Sequence, residues 1–67
     1  MAVMKVLEIM ANSEKSWEEA VKNAVKTASK SVKNIRSVYV KDQNANVEGD
    51  TITDYRVIVK ITFEVEA

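Results

Sequence analysis

The chain has 67 residues and contains no His, no Cys, no Pro and one Gly, while 46% of its residues are hydrophobic. The absence of Cys excludes disulfide bonds and thiolate zinc sites. Without His or Cys, a catalytic base active near neutral pH would have to be a buried carboxylate or Lys, so we expect no enzyme. Ten basic and ten acidic residues cancel, which leaves no basic field to attract nucleic acid or an anionic membrane surface.

At this length we expect one domain that spans residues 1–67. Ordering costs roughly 1.5 kcal/mol per residue, which usually leaves so small a core marginal. Association with further copies of the chain is the stabilising device that remains. No apolar run approaches the roughly 18 residues of a membrane span, so the sequence predicts a cytoplasmic protein without a membrane partner.

The first two predicted elements are a strand and a helix. Val3–Met10 is rich in β-branched and long apolar residues, which favours a short strand buried on most of both sides. Ser16 and Glu19 have the spacing of a capping box, so we expect a helix that begins at Ser16 and ends at Lys33. Its apolar residues recur at spacings of three and four, which is typical of an amphipathic helix: Trp17, Ala20, Val21, Ala24, Val25, Ala28 and Val32.

Two further strands are predicted in the second half of the chain. Ile35–Lys41 alternates and is predicted to form a strand that can continue through residues 42–48, and Gly49 with Asp50 supplies a turn. The third strand, antiparallel to the second, has the clearest period of two, with Tyr55, Val57, Val59, Ile61, Phe63 and Val65 on one face. One helix can cover only one face of the resulting α+β fold, which leaves the other face for a second subunit.

Three segments together resemble the dodecins, which are small flavin-binding proteins. These are the strand pattern of residues 3–13, the capped helix from Ser16, and the closing strand from Tyr55 to Val65. The resemblance covers nearly the whole chain. It implies a β-α-β-β subunit, with a three-stranded antiparallel sheet partly wrapped around one helix, that assembles into a hollow homododecamer. It also implies a flavin, such as FMN or riboflavin, as the small-molecule ligand.

The chain departs from the flavin-binding dodecins at two positions. Those members supply a stacking Trp from the second strand and a hydrogen-bonding Gln from the third, where this chain has Ser37 and Arg56. Without the aromatic surface we expect weakened or altered flavin binding, with Ser37, Arg56 and Gln43 as the candidate cofactor contacts. The missing Trp and the Ser-Trp-Glu at the helix start resemble the calcium dodecins more closely.

Each departure has a structural alternative. The single Trp, Trp17, is interpreted as a core or interface anchor in preference to a relocated flavin platform. Arg56 can bind a ligand carboxylate or phosphate, but an inter-subunit salt bridge is the simpler interpretation.

A cation site is the second ligand hypothesis. The oxygen side chains from Asp42 to Glu48 have the spacing of the first half of an EF-hand loop, but Val47 and Thr53 replace its Gly and bidentate Glu. An EF-hand is therefore rejected. A looser Ca²⁺ or Mg²⁺ site, formed by Asp42, Glu48, Asp50 or Asp54 from neighbouring subunits, stays an alternative to a solvated hairpin.

The leading hypothesis is a non-enzymatic, dodecin-like homo-oligomer that sequesters or buffers a small ligand. The alternatives are a divalent-cation-binding shell, a purely structural shell, and an adaptor or enzyme subunit that shares the element order. No nucleic-acid partner is expected, because aromatic residues do not alternate with the helical lysines.

Overall fold

The computed structural model describes residues 2–65. It contains one strand, one helix and two further strands, as predicted: β1 (Val3–Ser13), α1 (Trp17–Ala28), β2 (Ile35–Glu48) and β3 (Thr51–Val65). Both β1 and β2 pair with β3 in antiparallel fashion, so the sheet order is β1-β3-β2. The most regularly alternating segment of the sequence is therefore the central strand. Within residues 2–65, no helix is long and apolar enough to cross a membrane.

The core lies between α1 and β3. Ala20, Ala24 and Ala28 of the helix pack against Val57, Val59 and Ile61 of the strand, and all are buried. The small Ala side chains let the helix approach the sheet closely. Because side chains alternate along a strand, every second residue of β3 points toward the helix. This arrangement confirms the predicted helical stripe and the predicted inner face of β3.

The helix starts where the sequence predicts and ends earlier. Ser16 is the N-cap, and its hydroxyl accepts a hydrogen bond from the Glu19 amide at 3.0 Å. The predicted end at Lys33 is wrong, because α1 ends at Ala28. The Ser29 hydroxyl donates to the Lys26 carbonyl at 2.7 Å, a side-chain bond that competes with helical pairing. The chain then tightens into a turn in which the Ser31 amide bonds the Ala28 carbonyl.

β1 is longer and more exposed than predicted. It continues past Met10 to Ser13, because Ala11, Asn12 and Ser13 pair with β3 residues that the local pattern does not reveal. The expected burial on both sides is also wrong for the single subunit: Met10 is 63% exposed and Val6 60%. The reason is that α1 covers only one face of the sheet, and these two side chains are on the other.

The β2–β3 hairpin extends beyond the helix. β2 continues through the mostly polar residues 42–48, which was one of the two predicted extents of this strand. Gly49 then forms the turn with a φ of 65°. The subunit is 51 Å long, whereas a 12-residue helix measures about 18 Å at ~1.5 Å per residue. Much of the sheet therefore lies outside the cover of α1.

Candidate functional site

The candidate site lies on the sheet face opposite α1, which we call the open face. Because Val57, Val59 and Ile61 point to the helix, the alternate residues of β3 point away from it. Cross-strand partners share a face, so the register assigns the β1 and β2 residues as well. The open face carries Met4, Val6, Glu8, Met10 and Asn12 from β1, Asp54, Arg56, Ile58, Lys60, Thr62 and Glu64 from β3, and Ser37, Tyr39, Asp42, Asn44 and Asn46 from β2.

One row across the open face is polar throughout. Asn12 of β1 and Asn44 of β2 are the two cross-strand partners of Arg56. We call these three residues the Asn-Arg-Asn row. The Arg56 Nε donates to the Asn44 Oδ1 at 2.9 Å, while the Asn12 Nδ2 donates to both carboxylate oxygens of Asp54 at 3.2 Å.

The charge of Arg56 is therefore not matched by a carboxylate within residues 2–65. Its recorded partner is a neutral amide, and the nearby Asp54 is held by Asn12 instead. A guanidinium presents five donors in a planar fork, and one of them is used here. The remaining edge can receive a carboxylate or phosphate, either from a small ligand or from another subunit.

Two cations beside the open face, Arg36 and Lys41, have ion-pair partners inside the subunit. β2 has register breaks at Arg36 and at Lys41, and a bulge of this kind re-aims a side chain. Arg36 reaches Glu64 at 3.3 Å, and Lys41 reaches Glu8 at 3.3 Å. All four side chains are about half exposed, so each pair contributes less than about 1 kcal/mol. Arg56 differs from these cations in its neutral partner.

The three predicted flavin contacts are not brought together in one subunit. Ser37 is the partner of Thr62, six residues along β3 from Arg56, which is about 20 Å at ~3.3 Å per residue. Gln43 is the partner of Val57, so it shares the face of the helix and not that of Arg56. Ser37 and Arg56 do share the open face. A ligand shorter than the distance between them can contact both only if they come from different subunits.

The two predicted cation ligands are also far apart. Asp42 lies beside Ile58 on the open face, and Glu48 lies beside Thr51 next to the hairpin turn. Six residues of extended strand separate them, again about 20 Å. Within residues 2–65 no group of three or more acidic side chains is placed to hold a metal ion. Any cation site that uses both residues requires neighbouring subunits.

Trp17 lies on the helix-covered side of the sheet, opposite the Asn-Arg-Asn row. It packs against the core, which confirms its interpretation as an anchor. Its ring meets Tyr55 edge to face, with centroids 4.9 Å apart and planes at 79°. The indole Nε1 donates to the Asn44 carbonyl at 2.9 Å. Sequence reasoning identifies Arg56 and Trp17 as candidate site residues. It does not identify Asn12 or this role of Asn44, because the contacts of these two residues depend on the strand register.

The dodecin family model matches residues 3–66. The calcium dodecin of Mycobacterium tuberculosis is 36% identical over 64 residues, which are 96% of this chain and 90% of that protein. The crystal structure of that calcium-chelating antigen, which contains a calcium-binding site, superimposes with a TM-score of 0.81 at 35% identity and covers 96% of this chain and 91% of its own.

Other solved structures share the fold at lower identity. The dodecin of Streptomyces coelicolor matches with a TM-score of 0.92 at 24% identity, over 98% of this chain and 94% of that one. A Thermus thermophilus protein matches with a TM-score of 0.94 at 24% identity, over 100% of this chain and 98% of that one. These two likenesses concern the arrangement of strands and helix.

Proposed function

The chain belongs to the dodecin family, and we propose that it is a non-enzymatic, dodecameric binding protein that sequesters a small ligand where subunits meet. The observation that carries this proposal is the open face. It presents large exposed apolar side chains, among them Val6, Met10 and Tyr39, together with Arg56, which has no ion pair within residues 2–65. An exposed apolar face of this kind is typical of a subunit contact, and we expect a second copy of the chain to cover it.

The proposed ligand is a small molecule that carries an anionic or polar edge, with flavins as the family's ligand class. Ser37 and Arg56 share the open face at a separation of about 20 Å. A planar ring shorter than this distance that lies over Ser37 would contact Arg56 only if that residue came from another subunit. Ser37 offers no stacking surface, so the expected flavin affinity is lower than that of a site with an aromatic residue at this position.

Replacing Ser37 with Trp tests the flavin version directly. Aromatic stacking is worth about 0.5–1.5 kcal/mol beyond area burial, and a site on a two-fold axis gains it twice. We expect Ser37→Trp to tighten FMN binding by at least fivefold, about 1 kcal/mol, in a flavin fluorescence titration. The matched control is Thr51→Trp, which places the same ring on an exposed residue at the hairpin end of β3. Equal gains in both variants, or none in either, would remove Ser37 from the proposed site.

A second candidate function is divalent-cation binding. It is favoured by the 36% identity to a calcium dodecin and by the oxygen side chains of β2, of which Asp42 is on the open face. Because one subunit holds Asp42 and Glu48 about 20 Å apart, the cation would be bound by side chains of several subunits.

Calorimetry with CaCl₂ and MgCl₂ tests this second function. If it holds, we expect binding heat from the wild type that is lost in Asp42→Ala. Glu18→Ala is the control, because Glu18 is an exposed carboxylate on α1, away from β2, where it pairs with Lys22 at 3.5 Å. Absence of heat from the wild type with both salts would exclude the cation function, and an equal loss in both variants would exclude Asp42 as a specific ligand.

A further inference from the structure

The bond from Trp17 to Asn44 connects the start of α1 to β2. The helix packs mainly on β1 and β3, and it contacts β2 least. Within the described part of the chain, the 2.9 Å bond from the Trp17 Nε1 to the Asn44 carbonyl is the recorded side-chain hydrogen bond between α1 and β2. In addition to its pairing with β3, this edge strand is therefore connected to the helix N-terminus by one indole N–H.

Asn44 lies in a short segment of β2 between two breaks in register. The register with β3 breaks between Val40 and Asp42 and again between Asn46 and Val47. Residues 42–46 thus pair with β3 as a separate stretch between two irregularities, and bulges of this kind bend a strand and increase its twist. The hydrogen bond from Trp17 to the middle residue of that stretch restrains its position in addition to the pairing with β3.

Asn44 also contacts Arg56 on the open face. The Asn44 Oδ1 accepts from the Arg56 Nε at 2.9 Å, while the Asn44 carbonyl accepts from Trp17. Trp17 packs on the helix-covered side of the sheet against Tyr55, and Arg56 is on the other side. Asn44 therefore joins a rigid aromatic anchor on one face to a cationic side chain on the other.

We propose that Trp17 is a positioning residue for Arg56, acting through the backbone and the side chain of Asn44. An Arg side chain has many rotamers, and fixing the guanidinium before a partner arrives reduces the ordering cost of binding. The expected gain in ligand affinity rests on the proposed function. The connection from Trp17 to Arg56 through two hydrogen bonds does not depend on that function. The two are tested by separate readouts.

The link is tested by the exchange of the arginine Nε–H protons with water, measured by side-chain NMR on the deuterated, ¹⁵N-labelled, intact oligomer. The chain has two arginines, Arg36 and Arg56, so the spectrum contains its own reference: Arg36 bonds Glu64. We expect Trp17→Phe, which keeps an aromatic ring but removes the donor, to accelerate Arg56 exchange at least threefold and leave Arg36 unchanged.

Tyr55→Leu is the matched control, since it removes the edge-to-face contact with Trp17 but keeps the indole N–H. We expect it to leave the Arg56 exchange rate within twofold of wild type. Unchanged Arg56 exchange in Trp17→Phe, or the same acceleration in both variants, would overturn the proposal. If Phe at position 17 does not fold, Trp17→Met is measured instead, because its side chain also fills apolar space and has no hydrogen-bond donor.

FMN serves as the probe for the functional consequence. Losing one hydrogen bond that orders Arg56 is expected to weaken FMN binding about two- to tenfold in Trp17→Phe, with Tyr55→Leu close to wild type. If FMN binds none of the proteins, the flavin function fails, whereas the exchange experiment still decides the positioning role. If FMN binds all three equally while Arg56 exchange accelerates, Arg56 is positioned but does not contact the ligand.

Discussion

Replacing Ile61 with Ala is expected to destabilise the subunit by about 2–5 kcal/mol, the usual range for a fully buried Ile. Ile61 is 0% exposed and is among the largest fully buried side chains of the core. The opposing helix residues, Ala20, Ala24 and Ala28, are too short to refill the space. In a domain of this size the loss is a large share of the total free energy of unfolding. Urea unfolding followed by circular dichroism measures it.

Ile52→Ala is the matched control for Ile61→Ala. It deletes the same atoms from the same strand, but Ile52 is 42% exposed near the hairpin. We expect a change within about 0.5 kcal/mol in the free energy of unfolding. Both variants are compared with wild type at one subunit concentration, because oligomer stability depends on concentration. Equal losses in the two variants would show that the core identified here does not dominate stability.

The elements that the sequence predicts correctly are those fixed by local periodicity. Val57, Val59 and Ile61 alternate with polar residues, and Ala20, Ala24 and Ala28 recur every four positions, so the two faces of the core can be found without a structure. The helix start follows from the Ser16 cap in the same way. In each case the signal and the structure it produces lie within a few residues.

The elements that were mispredicted depend on distant partners. Asn12 and Ser13 have low strand preference, and they are in β1 because they pair with Arg56 and Tyr55 more than forty residues away. The burial predicted for both sides of β1 is wrong for a related reason. Met10 and Val6 are apolar, but they belong to a face that the subunit does not cover. Local periodicity cannot show that this face is left uncovered by the subunit's own helix.

The candidate site follows the same division. Ser37 and Arg56 were selected from the resemblance to flavin-binding dodecins, and the shared open face agrees with a common surface. Their separation of about 20 Å was not predictable without the register of β2 on β3, which contains three irregularities. The bond from Trp17 to Asn44 likewise depends on how β2 curves around the start of the helix.

The second large effect is expected from a charge placed on the open face. In the proposed dodecamer, Met10 is covered by another subunit, although it is 63% exposed in one. Met10→Lys would then bury an unpaired ammonium in every subunit, at a cost of several kcal/mol per ion. We expect the variant to be folded but dissociated, with native mass spectrometry at micromolar concentration reporting species far smaller than twelve subunits.

Asn23→Lys separates this effect from a general effect of added positive charge. Asn23 is exposed on α1, and the substitution adds the same charge to a helix that tolerates Lys well. Retention of the dodecamer in Asn23→Lys and its loss in Met10→Lys, with similar circular dichroism, would assign the open face to the subunit contact. If Met10→Lys assembles like wild type, the open face is solvated in the assembly. Ser37 and Arg56 would then not meet across that contact, and the proposed shared ligand site would have to be abandoned.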